Sequence, residues 1–306
     1  MQIHIDTDIG GDTDDLCALA MVLGWPDAEV LAVTTVGDSG GRRAGYARFA
    51  LDLAGRPDVP VYAGADVALG CYRVEIGLPV EERYWPEPVP PLRGAATHAL
   101  DALAASIEAG ATIVTIGPLT NLALLERRSP GILREARLVM MGGWVFPIRT
   151  GYPAWGNDYD FNVQVDADSA FLVLRSSRPS LVPVTVTVET ALREADVSAL
   201  HSGGALARLL ARQAEAFAAD ERMAERLGRT HAGLPDDIVN FQHDALACAV
   251  ALGWDGVEVS EVPLTFRLEG GDVQELVDQA GVPTRVVTSV DGERFQRDWL
   301  SMVVGR

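Results

Sequence analysis

Short β-branched runs alternate with helix-length segments along the first half of this chain, and that alternation constrains the fold more than any other feature. Ile3-His4-Ile5 precedes a helix over 14–24, and Val30 to Val36 precedes a helix from Arg42 to Ala54. Val61-Tyr62-Ala63-Gly64 is a short strand, an amphipathic helix runs from Thr97 to Ala109, and Thr112 to Ile116 and Leu138 to Met141 are further strands. Apolar runs of this length suit parallel strands buried on both faces. With short connections between them, they predict an α/β fold: a mostly parallel central sheet with helices on both faces. In such sheets ligands bind beyond the carboxyl ends of the strands. The strand-ending segments Asp6–Asp8, Gly37–Asp38, Gly117–Thr120 and Met141–Gly143 are therefore expected to gather at one edge.

The second half is less regular. Residues 66–93 are Pro-rich and read as a surface covering, and 144–165 as a long loop with Gly, Pro, Trp and Tyr. Residues 166–176 read as a helix, Leu181 to Val186 as a strand, and the charged, Ala-rich 204–228 as a solvated helical face. An apolar helix follows from Ala245 to Leu252, then short strands and a final helix over 257–305. No internal repeat or linker-like stretch divides the chain, so one domain over 1–306 is expected.

The first strand runs into the acidic turn Asp6-Thr7-Asp8-Ile9-Gly10-Gly11-Asp12-Thr13-Asp14-Asp15. Five carboxylates so close repel one another unless something neutralises them. Capping of the following helix accounts for Asp14 or Asp15. A hard divalent cation, Ca²⁺ or Mg²⁺, accounts for most of the five. An EF-hand does not, because Cys17 stands where its bidentate Glu belongs. His243-Asp244 is a second candidate site: Asp244 as a further metal ligand, His243 as a proton donor near neutral pH.

Composition removes several function classes. The formal charge of −18 argues against nucleic-acid and anionic-membrane surfaces. The chain contains no Lys, which excludes Schiff-base chemistry and a Walker lysine. Cys17, Cys71 and Cys248 are far apart and odd in number, and Cys17 and Cys248 sit in apolar helical patterns. They imply no disulfide framework, and with no signal-peptide pattern a cytoplasmic location is expected. No apolar run reaches the roughly 18 residues of a membrane span.

The motif Asp6-x-Asp8-x-Gly10 with Asp14-Asp15 resembles the N-terminal signature of the inosine-uridine-type nucleoside hydrolases. Gly117-Pro118-Leu119-Thr120-Asn121, Met141-Gly142-Gly143, Asp160-Phe161-Asn162-x-x-Val165-Asp166 and His243-Asp244 follow in the family's order. The resemblance covers about residues 3 to 252 and implies a Rossmann-like core that hydrolyses the N-glycosidic bond of ribonucleosides with one Ca²⁺ per subunit. It implies Ca²⁺ ligation by Asp8, Asp15, Asp244 and the backbone carbonyl of Thr120, with Asp8 as general base and His243 as acid to the leaving base. Asp14, Asp38, Met141, Asn157, Asp160, Asn162 and Asp244 would bind substrate. A homodimer or homotetramer is implied by the resemblance alone.

The chain departs from the pattern around the sugar and base. The acidic turn carries an extra residue, which makes Asp12 an alternative to Asp14. Asp38 replaces the usual Asn, Asp160 the usual Glu, and Glu189 the usual His, and the loop over 144–159 is longer than in the pattern. Two competing readings remain. One is a binding protein of the same fold that has lost catalysis. The other is a haloacid-dehalogenase-type phosphatase, which the absence of Lys disfavours.

Overall fold

A computed structural model describes residues 1–70, 77–78 and 81–305, so Cys71 lies outside the described residues. The chain runs β1 (Gln2–Thr7), α1 (Asp14–Gly24), β2 (Glu29–Thr35), α2 (Arg42–Leu53), β3 (Val61–Ala63), α3 (Glu81–Tyr84), α4 (Ala96–Glu108), β4 (Thr112–Thr115), α5 (Thr120–Arg128) and β5 (Arg137–Met141). It continues with α6 (Phe161–Gln164), α7 (Ala167–Ser176), β6 (Ser180–Val182), α8 (Val184–Thr187), β7 (Ala191–Arg193), α9 (Glu194–Ser202), α10 (Ala205–Glu221) and α11 (Met223–Arg226). Last come β8 (Ile238–Phe241), α12 (His243–Ala251), β9 (Val257–Glu269), β10 (Asp272–Val277), β11 (Val282–Val290) and α13 (Gly292–Val304).

Among the described residues nine strands form one sheet in the order β10-β9-β11-β6-β5-β4-β1-β2-β3. From β11 to β3 every neighbour is parallel, and β9 and β10 add an antiparallel edge. The chain winds outward from β1 through β2 to β3, then crosses back to place β4 on the other side of β1. The carboxyl ends of β1 and β4 are thus a topological switch point, where open α/β sheets leave a crevice.

Side-chain alternation sends the two faces of each strand into separate cores. Ile3, Ile5, Val114, Val139 and Met141 join one apolar cluster with α1, α10, α12 and α13. Ile113, Leu138 and Met140 join another with α4, α5 and α7. α1 and α12 lie side by side and are buried nearly all round, as their unbroken apolar sequences require. Cys17 and Cys248 are free and buried in them.

Three segments differ from the sequence-based expectation. Trp85, in the stretch expected to cover the surface, is buried and stacks on Tyr46 at 4.3 Å between ring centroids. The strand expected over Leu181 to Val186 stops at Val182, and Val184 to Thr187 is helical, with the Val186 and Thr187 N–H groups donating to Pro183 O at 3.0 Å. Pro183 donates no backbone hydrogen bond, which ends ladder pairing despite the β-branched residues beyond it. The short strand β8, which pairs with β7 in a separate two-stranded sheet, lies between the helical face expected over 204–228 and the helix expected from Ala245, where no strand was expected.

Candidate active site

Beyond the carboxyl ends of the parallel strands lies a cavity of about 820 Å³. Asp8, Asp12, Asp14 and Asp15 from the acidic turn line it, with His243 and Asp244 from the start of α12, Met141 from the end of β5, and Asn162 from α6. The fold brings the acidic groups together because α1 and α12 both begin at the cavity. The Asp244 N–H donates to Asp14 Oδ2 at 3.1 Å, so an acid of α1 satisfies a free N–H of α12. The positive ends of both helix dipoles point toward the carboxylates and offset part of their charge.

The turn is held from several sides. Thr7 Oγ1 accepts from Ile9 N at 3.1 Å and donates to Asp15 Oδ1. Asp12 Oδ1 accepts from Asp14 N at 2.8 Å. The buried Arg43 guanidinium donates to the carbonyls of Asp8 and Ile9 from below. Gly117, at the end of β4, makes room for Asp8: a Cβ there would lie 2.8 Å from Asp8 Oδ1 and 2.9 Å from Asp8 N. Gly10, at φ +103°, is likewise required, since a Cβ would lie 2.5 Å from the Tyr46 ring.

Burial, then the charge of Asp12, pushes the Asp8 carboxyl up to about 6, with Arg43 opposing. Asp12 is raised as well, chiefly by burial. Asp14, Asp15 and Asp244 are pushed well up, first by burial and then by neighbouring carboxylates, led by Asp12 for Asp14, Asp8 for Asp15 and Asp14 for Asp244. Two ionised carboxylates about 4 Å apart repel by roughly 4 kcal/mol at an effective dielectric constant of about 20. Repulsion of that size is a sizeable part of the whole stability of a domain, about 5–15 kcal/mol. The group therefore holds protons or a cation.

Among the described residues, no three His, Cys, Asp or Glu side chains stand close enough together to hold a metal ion. In chemical kind the donors do fit a hard divalent cation. They are carboxylate oxygens, Asp14, Asp15 and Asp244 are buried, and Asp14 Oδ1 has no hydrogen-bond partner.

His243 is stacked on Phe241 at 5.0 Å, and burial lowers it to about 4, so it is neutral at pH 7. Its Nδ1 lies 2.6 Å from Thr187 Oγ1. Trp155, Tyr159 and Phe161 form an aromatic wall, with Trp155 and Tyr159 stacked at 4.8 Å. At the mouth, Arg83 and the Tyr84 hydroxyl both donate to Asp220, near Phe217 and Glu221.

The remaining candidates do not line the cavity. Asp38 accepts from the N–H groups of Arg43 and Ala44 at the start of α2, both at 2.9 Å. Thr120 donates its hydroxyl to Asp166 at 2.6 Å. Asn157 Nδ2 donates to Val273 O at 2.7 Å. Asp160 accepts from Gly143 N at 2.6 Å. Glu189 pairs with Arg149 at 2.8 Å.

Sequence reasoning missed Thr187, hidden in a β-branched run, and the mouth residues of α10, whose sequence reads as a solvated face. The aromatic content of the 144–165 loop is plain in the sequence, but nothing there gives Trp155 or Tyr159 a place. Arg43 gave no signal at all, because an Arg pair at a helix start reads as surface.

Comparison with known proteins follows the same lines. The sequence pattern of the inosine-uridine preferring nucleoside hydrolases matches residues 3–297. A protein named pyrimidine-specific ribonucleoside hydrolase RihA, from Salmonella paratyphi A, is 31% identical over 219 residues, 67% of each chain. An uncharacterised Schizosaccharomyces pombe protein is 34% identical over 204 residues, 61% of this chain and 62% of its own length, so the match spans less than two thirds of that relative. In fold, the chain superposes on a purine-preferring ribonucleoside hydrolase from Gardnerella vaginalis with a TM-score of 0.80 at 23% identity, covering 100% of this chain and 98% of that one. A plant nucleoside hydrolase superposes with a TM-score of 0.79 at 20% identity, covering 100% and 99%. The expected α/β fold and the family resemblance both hold: the chain belongs to the inosine-uridine preferring nucleoside hydrolase family, whose members are hydrolases acting on N-glycosyl bonds.

Proposed function

We propose that this protein hydrolyses the N-glycosidic bond of ribonucleosides to ribose and free base, in a reaction that depends on one Ca²⁺ per subunit. The observation that carries the reading is the convergence of Asp8, Asp12, Asp14, Asp15, Asp244 and His243 on one cavity with an aromatic wall. Breaking the bond develops positive charge on the ribosyl ring. Fixed carboxylates favour that charge over the neutral ground state.

In this reading Asp8 takes the proton of the attacking water. Asp14 and Asp244 hold the sugar hydroxyls, with Asp12 as the alternative to Asp14, and Met141 and Asn162 contact the ring. His243 faces the departing base. Thr187 Oγ1 lies 2.6 Å from its Nδ1 but 3.4 Å from Val184 O. The shorter bond favours donation from the hydroxyl to Nδ1, which keeps the imidazole proton on Nε2, where the neutral ring donates a hydrogen bond to the negative charge developing on the base. Trp155 and Tyr159 receive the planar base. Asp8, Asp15, Asp244 and the Thr120 carbonyl would hold the cation, which supplies a positive charge that orients the sugar hydroxyls and acidifies a water. Asp38, Asn157 and Asp160 act here as supports, since their bonds run to backbone behind the cavity wall.

The nine-stranded sheet, which takes strands from both ends of the chain, supports reading residues 1–306 as one domain. A homo-oligomer in the cytoplasm belongs to the same reading and rests on the resemblance. Relatives are named for both pyrimidine and purine substrates, so base preference is an outcome of the test. Product analysis by NMR, with uridine and inosine in the presence of Ca²⁺, should show ribose and free base. Binding of either nucleoside without cleavage would instead favour a protein that has lost catalysis.

A further inference from the structure

Asp160 and Glu275 are both buried, and each has one carboxyl oxygen with no hydrogen-bond partner, Asp160 Oδ1 and Glu275 Oε1. Their other oxygens accept from consecutive backbone N–H groups: Gly143 N to Asp160 Oδ2 at 2.6 Å and Trp144 N to Glu275 Oε2 at 3.3 Å. The two carboxyls thus grip one turn. That turn follows directly on Met141, and Gly142 and Gly143 stand in it at φ +146° and +109°. Met141 O and Sδ in turn face Asn162 Nδ2 at 3.3 and 3.1 Å. Met141 and Asn162 both line the cavity.

β10 is tied to α6 beside the pair. Gln164 accepts from Val273 N at 3.0 Å and donates to Val273 O at 2.9 Å, and Val273 shares a strand face with Glu275. Burial raises both carboxyls, Asp160 to about 7 and Glu275 to about 8, with the Asp160 charge adding to the rise at Glu275. Among the described residues few other ionisable groups share their surroundings. Glu275 pairs with Phe266 of β9, so Leu264, Phe266 and Leu268 share its face, while Arg267, Glu269 and Asp272 take the other. α7 contributes Asp168 and Arg175, with Asp166 as its N-cap, and Asp166 is bonded to Thr120, Ser169 and the Leu69 N–H. Asp158 and Tyr159 precede Asp160.

We propose that Asp160 and Glu275 share one proton behind the cavity wall and so act as a clamp that positions Met141 and Asn162 against the sugar. Two buried carboxyls that feel each other's charge do not both ionise readily, and one proton between them converts repulsion into a hydrogen bond. Loss of that proton in alkali opens the clamp. The positioning role rests on the nucleoside reading; the shared proton does not.

Two measurements test the proposal, both with the full-length protein and its Glu275→Gln variant. Infrared difference spectroscopy at pH 7 should show a protonated carboxyl band in the parent that is lost in the variant, where the neutral amide donates to an ionised Asp160. No such difference would overturn the proposal whatever the enzyme does. In steady-state kinetics with Ca²⁺, the parent's KM should rise by up to about tenfold per pH unit above the upper titration of the pair. kcat should change far less, and the variant's KM should stay flat over the same range. Glu275→Ala should raise KM about tenfold at neutral pH, the size of one lost hydrogen bond to a charged group. An unchanged alkaline rise in Glu275→Gln, or a loss confined to kcat, would contradict the clamp. A parent that cleaves no nucleoside but shows the band difference would sink the functional reading, and the positioning role with it, while the shared proton stands.

Discussion

Thr187 Oγ1 sits 2.6 Å from His243 Nδ1, and the two residues reach that contact from opposite ends of helices: Thr187 ends α8 and His243 begins α12. The contact decides which ring nitrogen carries the proton toward the cavity. Thr187→Val should therefore lower kcat on natural nucleosides about tenfold, the size of one lost hydrogen bond to a developing charge, with KM little changed. Steady-state kinetics checks this. A change in KM alone would show that Thr187 acts on binding.

His243→Ala should be most damaging where the base is a poor leaving group. A nitrophenyl riboside, whose leaving group needs no proton, should retain most of its turnover. An equal loss on both substrates would contradict a role for His243 in proton donation.

Asp8→Ala should reduce turnover by about 10² to 10⁴, the range for loss of a positioned base. The fold should survive, because one carboxylate fewer lessens the repulsion among the others. Turnover within tenfold of the parent would exclude Asp8 as the base.

Gly117→Ala tests the close approach of β4 to the acidic turn. The added methyl group falls 2.8 Å from Asp8 Oδ1 and displaces it. A shift on the order of 1 Å at a catalytic group costs about a hundredfold in rate. Circular dichroism should show an intact fold.

The buried carboxyls also set a pH dependence of stability. Asp6 is raised to about 7 and Asp8 to about 6, burial being the largest cause for each. Their unfolded values lie near 4, so the folded state binds more protons than the unfolded chain across that interval. Stability present in acid is lost as pH rises from about 4 through about 7, each tenfold difference in proton affinity between the two states being worth about 1.4 kcal/mol. Chelator-treated protein should accordingly melt at least about 4 °C lower at the top of this range than at the bottom, and Ca²⁺ should restore Tm more at the top. A Tm that rises with pH in chelator would contradict the account.

The parallel sheet was legible because Val30 to Val36 and Thr112 to Ile116 are β-branched runs of strand length that alternate with helix-length segments. The acidic floor was legible because Asp8, Asp12, Asp14 and Asp15 lie within one turn, where local sequence and site coincide. Sites built across long sequence separations left no such trace. Val184-Thr185-Val186 carries strand propensity that tertiary packing overrides after Pro183. Glu275 lies 115 positions from Asp160, and nothing around it signals a buried acid. α10 reads as an ordinary amphipathic surface helix, and its meeting with Arg83 and Tyr84 at the cavity mouth is not visible in that pattern.

The central claim is that this floor of carboxylates supports cation-dependent release of ribose. The most direct measurement is a quantitative assay of free ribose from a panel of ribonucleosides, run with Ca²⁺ and with chelator. The account predicts release with Ca²⁺ and its loss with chelator, restored on adding the cation back. Release that persists undiminished in chelator, or none from any nucleoside by protein that binds Ca²⁺, would contradict it.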